Sequence, residues 1–357
     1  MADHQSREIL DEAGKRELEE RLGVFAGCPV CVTGATGFVG SNLTRRLLGL
    51  GAKVTILVRK TSNKGTVAEF AEAGARVIYG DVTDMDSVRE AVGGQTYVFH
   101  IAAMFREARH ADSVYYDVNL GGTRNILDAA EEAGVKRVLH CSTIGVHSHI
   151  VNPPADENEP YAPTDVYQES KCEAEKLALE RFRSGRVDGA VIRPAMIWGE
   201  GDTRILKLYK GVSHRRFPVF GSGVMPTHWI YVHDLVNAFL LAAITPEASG
   251  QVYIIAGAEP VSLNNLVEMV AERAGVKPLP FNIPVEPVQW VGSIVETICR
   301  PLGVEPPIHR RRADFFTKSR AFNTGKARRE LGYRPGQTLK DEVDRIYTWY
   351  QEHGWLN

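Results

Sequence analysis

Tyr167 and Lys171, in the run Tyr167-Gln168-Glu169-Ser170-Lys171, stand one helical turn apart and share a helix face. A free tyrosine has a pKa of about 10 and is a poor base at neutral pH. A neighbouring ammonium favours the phenolate. Lowering the phenol by about three units takes roughly 4 kcal/mol of differential stabilisation, of which a lysine supplies part. The pair therefore suits proton exchange with an alcohol or carbonyl oxygen. Such a centre also wants a hydroxyl to orient that oxygen, and Cys141-Ser142-Thr143-Ile144-Gly145-Val146 offers Ser142 and Thr143.

A second constellation binds rather than reacts. Thr33-Gly34-Ala35-Thr36-Gly37-Phe38-Val39-Gly40 places glycine at every third position, between an apolar run and a helical pattern. Glycines there permit a tight turn and close backbone approach to a pyrophosphate. The helix N-terminus beyond them, with unpaired N–H groups and a positive dipole end, favours anions.

Hydrophobic patterning shows the elements that must position these residues. Near-continuous apolar runs at 29–34, 53–58, 76–80, 96–102, 137–143 and 189–194 read as strands covered on both faces. Helical patterns lie between them at 38–50, 65–74, 84–92, 112–133 and 165–184. The alternation predicts an α/β fold with a doubly wound parallel sheet. Past Pro194 the rhythm breaks. An apolar helix at 233–244 and a strand at 251–257 rejoin the first domain, and the remainder is richer in Pro and Gly. The predicted organisation is a charged helical extension over 1–27 and a dinucleotide-binding domain over 28–195, rejoined by about 231–257. A smaller, discontinuous substrate-binding lobe takes 196–230 and 258–357. A cleft between lobes is a usual place for a small molecule.

The glycine spacing and TGATGFVG itself resemble the extended branch of the short-chain dehydrogenase/reductase superfamily. So do Tyr167-x-x-x-Lys171, Asn119 in YYDVNLGGTRN, Arg193-Pro194-Ala195-Met196-Ile197-Trp198-Gly199, Ile230-Tyr231-Val232-His233-Asp234 and the C-terminal KARRELGYRP. The resemblance covers about residues 28–350. It implies a Rossmann domain and hydride transfer with a nicotinamide dinucleotide. By the same resemblance Thr143, Tyr167, Lys171 and Asn119 form the catalytic group. Thr143 is the direct counterpart of the family's Ser/Thr position and Ser142 its neighbour. Lys171 also holds the nicotinamide ribose, and Asn119 organises the active-site helix and strand. The resemblance puts Gly34, Thr36, Gly37, Phe38, Val39 and Gly40 on the cofactor. It puts Asp81 and Val82 at the adenine and the backbone of His100, Ala102 and Ala103 beside the dinucleotide. Ser142, Pro194 and Met196 are further cofactor contacts. In this family the helix around Asn125 and the Tyr167–Lys171 helix commonly pair with their mates, which implies a homodimer with Leu127, Ala130, Leu177 and Ala178 as candidate contacts.

The second strand ends Ile56-Leu57-Val58-Arg59-Lys60, where a reader of NAD usually places Asp or Glu for the ribose hydroxyls. Two cations stand there and no carboxylate. This favours NADP(H), with NAD as the alternative if Arg59 stacks on adenine or faces solvent.

Composition bounds the rest. The chain has 357 residues, is 44% apolar and carries a net charge of -2. A nucleic-acid partner is not expected without a positive excess. No apolar run approaches the roughly 18 residues of a membrane span. The N-terminal stretch has no apolar signal core. Five scattered cysteines fit a reducing cytoplasm. Cys28 and Cys31 lie in or beside the buried first strand and read as structural, and the histidines form no metal-ligand cluster. His147 and His149 follow the Thr143 strand, as pocket lining or plain loop. Arg310-Arg311-Arg312 reads as an anion site or a solvated face. The stripe Val288, Trp290, Val291, Ile294, Val295, Ile298 and Leu302 reads as core, as a lid over an apolar substrate or as a peripheral membrane contact.

Two substrate classes fit this framework. One is an apolar, steroid-like secondary alcohol or its ketone; the other is a nucleotide-sugar turned over by an epimerase or dehydratase that recycles NAD internally. Nucleotide-sugar members often carry Arg just before the strip equivalent to Ile230–Asp234, and Val224-Met225-Pro226-Thr227-His228-Trp229 has none. RPAMIWGEGD and ILVRK look more like 3β-hydroxysteroid dehydrogenases and dihydroflavonol-type reductases. A non-catalytic dinucleotide-binding protein is a third reading, against which Tyr167, Lys171 and Thr143 argue.

Overall fold

The apolar runs become strands because both of their faces are covered. In β1 (Pro29–Thr33), Val30 and Val32 enter one hydrophobic core and Cys31 the other. The computed structural model describes residues 9–105, 111–284 and 318–357. With β2 (Lys53–Val58), β3 (Arg76–Tyr79), β4 (Tyr97–His100), β5 (Arg137–Cys141), β6 (Gly189–Pro194) and β7 (Val252–Ile255), it forms one seven-stranded sheet. The order is β7-β6-β5-β4-β1-β2-β3 and every pairing is parallel. Helices Phe38–Gly49 and Val232–Ile244 cover one face, through Leu43, Leu47 and Phe239. Helices Met85–Val92, Gly122–Ala133 and Val166–Arg183 cover the other, through Val88, Ile126 and Phe182. β4 and β5 stop two residues short of their expected ends, where the chain leaves the sheet to build the site.

The stretch expected as one helix over 112–133 is helical throughout but not uniform. Asp112–Tyr115 passes into a π-helical turn at Tyr116–Gly121 and then into Gly122–Ala133. The N-terminal extension is a helix over Glu12–Leu22, capped by Asp11, with Leu18 and Leu22 in the first core. A third core gathers Trp198, Tyr209, Leu266, Ile346 and Tyr350. The chain leaves this core before residues 339–356 complete it. Phe322, Ala327, Leu331 and Tyr333 return to the first core. Arg21 donates to the Leu331 carbonyl at 3.2 Å and Leu10 N–H to the Pro335 carbonyl at 2.9 Å. The stripe at 286–302, Arg310–Arg312 and Cys299 lie outside the described residues. Among the described residues no helix is long and apolar enough to cross a membrane.

The residues expected to meet a second copy do not face outward. Leu127, Ala130 and Ala178 are buried in their own chain, and Leu177 packs against the same core. The sheet beneath these helices has claimed their apolar stripe. Arg124, Glu132, Glu173, Lys176 and Glu180 are exposed on them instead.

Two carboxyls are buried where the cores meet. Glu342 accepts from Trp198 Nε1 at 2.7 Å, and Asp234 accepts from Gly336 N–H at 3.0 Å. Burial, only partly offset by that N–H, pushes Asp234 up to about 7. Its folded pKa lies above the unfolded value of about 3.9, so the folded chain holds the extra proton. That stabilisation is complete below about pH 4 and is lost as pH rises through about 7. Denaturant midpoints of the unmutated protein should fall as pH rises from about 4 to about 7 and level off above that. Asp234→Asn, which keeps the acceptor for Gly336, should flatten that slope and gain about 3–5 kcal/mol at the alkaline end. Parallel slopes in the two proteins would refute this assignment.

Candidate functional site

Strand order reverses between β1 and β4, and their C-terminal ends open the crevice in which doubly wound sheets hold dinucleotides. Gly34 leaves β1 with φ +69°, and a Cβ there would sit 2.7 Å from the Ala102 nitrogen. A Cβ at Gly40 would overlap the Gly34 carbonyl. Both glycines keep the loop tight against β4 and the helix close beneath it, the cradle a pyrophosphate needs. Gly37 caps helix Phe38–Gly49 without a side chain, leaving the N–H end open beside half-buried Thr36, Phe38 and Val39. The Arg204 guanidinium lies 5.4 Å over the Phe38 ring.

Other expected cofactor residues are distributed around this mouth. Arg59 and Lys60 are exposed at the end of β2. Asp81 accepts from the N–H and hydroxyl of Thr83 at 3.0 and 2.9 Å. The Val82 side chain packs on Gly122. Ala102 N–H donates to Thr33 Oγ1 at 3.2 Å, and Ala103 follows it at the mouth. The His100 side chain is not available to a ligand, because it lies between Thr33 and Thr123 at 2.9 and 3.1 Å. Thr123 spends its proton on the Asn119 carbonyl, so His100 Nε2 donates and Nδ1 accepts from Thr33. Burial and the Lys171 charge push His100 down to about 3, which keeps it neutral. His140 beside it is buried and held well below its ordinary value by the same two causes and by His100 itself. Pro194 ends β6, and Met196 N–H donates to the His228 carbonyl at 3.1 Å.

Helix Val166–Arg183 carries the reactive pair. Asp165 caps it, accepting from Gln168 N–H at 2.9 Å. Tyr167, Lys171 and Glu175 follow one stripe and are all buried. Lys171 Nζ donates to the Cys141 carbonyl at 2.6 Å, fixing it under the end of β5. Burial lowers its pKa, against the pull of Cys141 and Glu175. Asn119 ties the helix to the loop after β4. Its Nδ2 donates to Ser170 at 2.9 Å and to the Met104 carbonyl at 3.2 Å, and its Oδ1 accepts from Met104 N–H at 2.8 Å. The π-turn presents it there, as inserted turns often do at functional sites.

Sequence reasoning did not single out Glu175, which organises the site from below. Arg193 meets it at 2.5 Å, Tyr161 donates to it at 2.7 Å, and Ser142 Oγ donates to its other oxygen. Burial alone would raise the Glu175 carboxyl, but the Arg193 charge and these donors outweigh it and hold it low. Arg193 also reaches His147 Nε2 at 3.0 Å, while His147 Nδ1 donates to the Pro160 carbonyl at 3.0 Å, so His147 is the neutral Nδ1–H form. His147 is therefore part of the frame, and exposed His149 accepts from Ser319 N–H at 3.1 Å. The period of the stripe, Tyr167–Lys171–Glu175, was the available signal for Glu175.

The two hydroxyls after β5 have separate positions. Ser142 is buried and its proton is spent on Glu175. Thr143 is half-buried, and its Oγ1 accepts from Gly145 N–H at 3.0 Å, an interaction that uses none of its own proton. A groove of about 430 Å3 lined by Pro153, Pro226, His228, Phe322 and Arg328 touches none of Thr143, Tyr167 and Lys171. Cys28, Cys31, Cys141 and Cys172 are free thiols.

Residues 30–256 match the model of the NAD dependent epimerase/dehydratase family. The 3 beta-hydroxysteroid dehydrogenase/Delta 5→4-isomerase of Mycobacterium tuberculosis is 33% identical over 362 residues, covering 96% of this chain and 94% of that protein. Sterol demethylase protein B of Methylococcus capsulatus is 30% identical, covering 91% and 99%. The crystal structure of dTDP-glucose 4,6-dehydratase from Streptomyces venezuelae, with NAD bound, superposes with a TM-score of 0.73 at 25% identity, covering 92% and 99%. Sheet order, glycine cradle and these likenesses agree: the chain belongs to the NAD-dependent epimerase/dehydratase family, the extended branch of the short-chain dehydrogenases/reductases.

Proposed function

We propose that this enzyme interconverts an apolar secondary alcohol and its ketone with NADP(H), using Tyr167 as the proton-exchanging group. The observation that carries the reading is the buried Lys171, one turn from Tyr167 and anchored on the Cys141 carbonyl. Bound in the glycine cradle, the dinucleotide supplies or accepts the hydride. Gly34, Gly37 and Gly40 receive its diphosphate, and exposed Arg59 and Lys60 pair with a 2′-phosphate. Tyr167 takes the hydroxyl proton as the alcohol is oxidised and returns one as the ketone is reduced. Lys171 keeps positive charge beside the phenol and holds the ribose. Thr143, whose own proton is uncommitted to Gly145, donates to the substrate oxygen. Ser142 acts on Glu175 and not on substrate. The steroid- and sterol-related names of the relatives support an apolar carbinol. The likeness to a dTDP-glucose dehydratase supports the second reading, a nucleotide-sugar substrate.

Turnover of a 3β-hydroxysteroid and of UDP-glucose by the purified enzyme separates the two. Tyr167→Phe should lower kcat by about two to four decades and leave cofactor affinity nearly intact. Lys171→Ala should damage both. Near-normal turnover in Tyr167→Phe eliminates the mechanism.

Thr143→Val and Ser142→Ala test the division of the hydroxyls. Thr143→Val should reduce kcat with little change in melting temperature. Ser142→Ala should cost about 1.5–3 kcal/mol of stability, as a donor to a buried carboxylate is lost. The reverse pattern would exchange their roles.

Neutralising Arg59 and Lys60 together should weaken NADP(H) far more than NAD(H), since only the former loses ion pairs. Equal losses, or an NAD(H) preference in the unmutated enzyme, assign the cofactor to NAD.

A further inference from the structure

We propose that Phe105 determines specificity: its ring is the wall on which a flat apolar ligand lies when the ligand's oxygen reaches Tyr167. The inference rests on Tyr167 as the proton-exchanging group. Phe105 is 50% exposed, a large apolar side chain facing solvent at the mouth of β4. Its ring meets that of Tyr167 edge-on, with centroids 5.1 Å apart and planes at 81°.

The placement is built, not incidental. Met104, the residue before it, is held at both backbone groups by Asn119, at 2.8 and 3.2 Å. The same Asn119 side chain grips Ser170, on the Tyr167 helix, at 2.9 Å. One buried amide thus sets the ring and the phenol relative to each other, with a supporting shell that limits drift. Val151, 74% exposed, lies in the loop after β5, the strand next to β4.

Chemistry then selects the ligand. An exposed ring leaves apolar area in water that a ligand of like polarity removes. A fused-ring carbinol does so. A sugar laid on the same wall buries hydroxyls against a surface with no donor or acceptor, and each unpaired group costs affinity.

Equilibrium dialysis of a 3β-hydroxysteroid against the cofactor-saturated enzyme tests this without relying on turnover. Phe105→Ala should weaken steroid binding about ten-fold, from the half side chain of apolar area lost. Phe105→Leu should recover part of it. Dinucleotide affinity and melting temperature, which report folding, should not move. In kinetics the loss should fall on KM, with kcat little changed. Unaltered steroid affinity in Phe105→Ala overturns the inference, as does failure of the unmutated enzyme to bind the steroid. A fall in kcat at constant KM also overturns it, since the ring would then act on Tyr167 and not on the ligand. Tight steroid binding with turnover of UDP-glucose alone would sink the proposed function and leave the assignment of Phe105 standing.

Discussion

A carboxylate at 0% exposure cannot stay ionised alone, and Glu175 does so because Arg193 meets it at 2.5 Å. Much of the site depends on that pair. Arg193 comes from the end of β6 and Glu175 from the third turn of the Tyr167 helix, so the pair sets the rotation of the helix over the sheet. Ser142 and Tyr161 complete the carboxylate's coordination, and His147 and the Glu157 carbonyl complete that of the guanidinium. Removing one partner of a buried pair typically costs about 3–5 kcal/mol, because the other charge is stranded. Here it would also release Lys171 and Tyr167, which stand one and two turns up the same stripe.

Above this pair the polar groups form a belt beneath the helices at the C-terminal ends of β1, β4 and β5. Thr33, His100, Thr123, Asn119 and Ser170 are linked in sequence. His100 in the belt and His140 beside it are both held well below the ordinary histidine value by burial and the Lys171 charge. The belt is satisfied internally, while Thr143 is half-buried and Phe105 half-exposed beside it.

The parts legible in the sequence are those that repeat with a period or punctuate the backbone. Apolar runs showed the sheet, glycines at every third residue showed the cradle, and the spacing of Tyr167 and Lys171 showed a shared face. Glu175 was obscured because Glu169, Glu173 and Glu180 surround it in one charged helix, and its burial depends on an arginine eighteen residues away. The π-turn at Asn119 was not legible, since one inserted residue barely disturbs a helical pattern. Leu127, Ala130 and Ala178 were candidate contacts because the family resemblance names two pairing helices, and it does not say which of their faces pairs; these three side chains are buried in their own chain.

The return of Phe322, Ala327, Leu331 and Tyr333 to the first core has a consequence for synthesis on the ribosome. The N-terminal helix and the strands beside it emerge well before residues 322–333, which supply part of their hydrophobic covering. Until that stretch clears the exit tunnel, apolar surface on the nascent first domain stays uncovered. Domains that fold from the N-terminus as they emerge escape this interval. This one completes its core only once residues 322–333 have emerged, and a chain cut short of them would leave the early domain unfinished too.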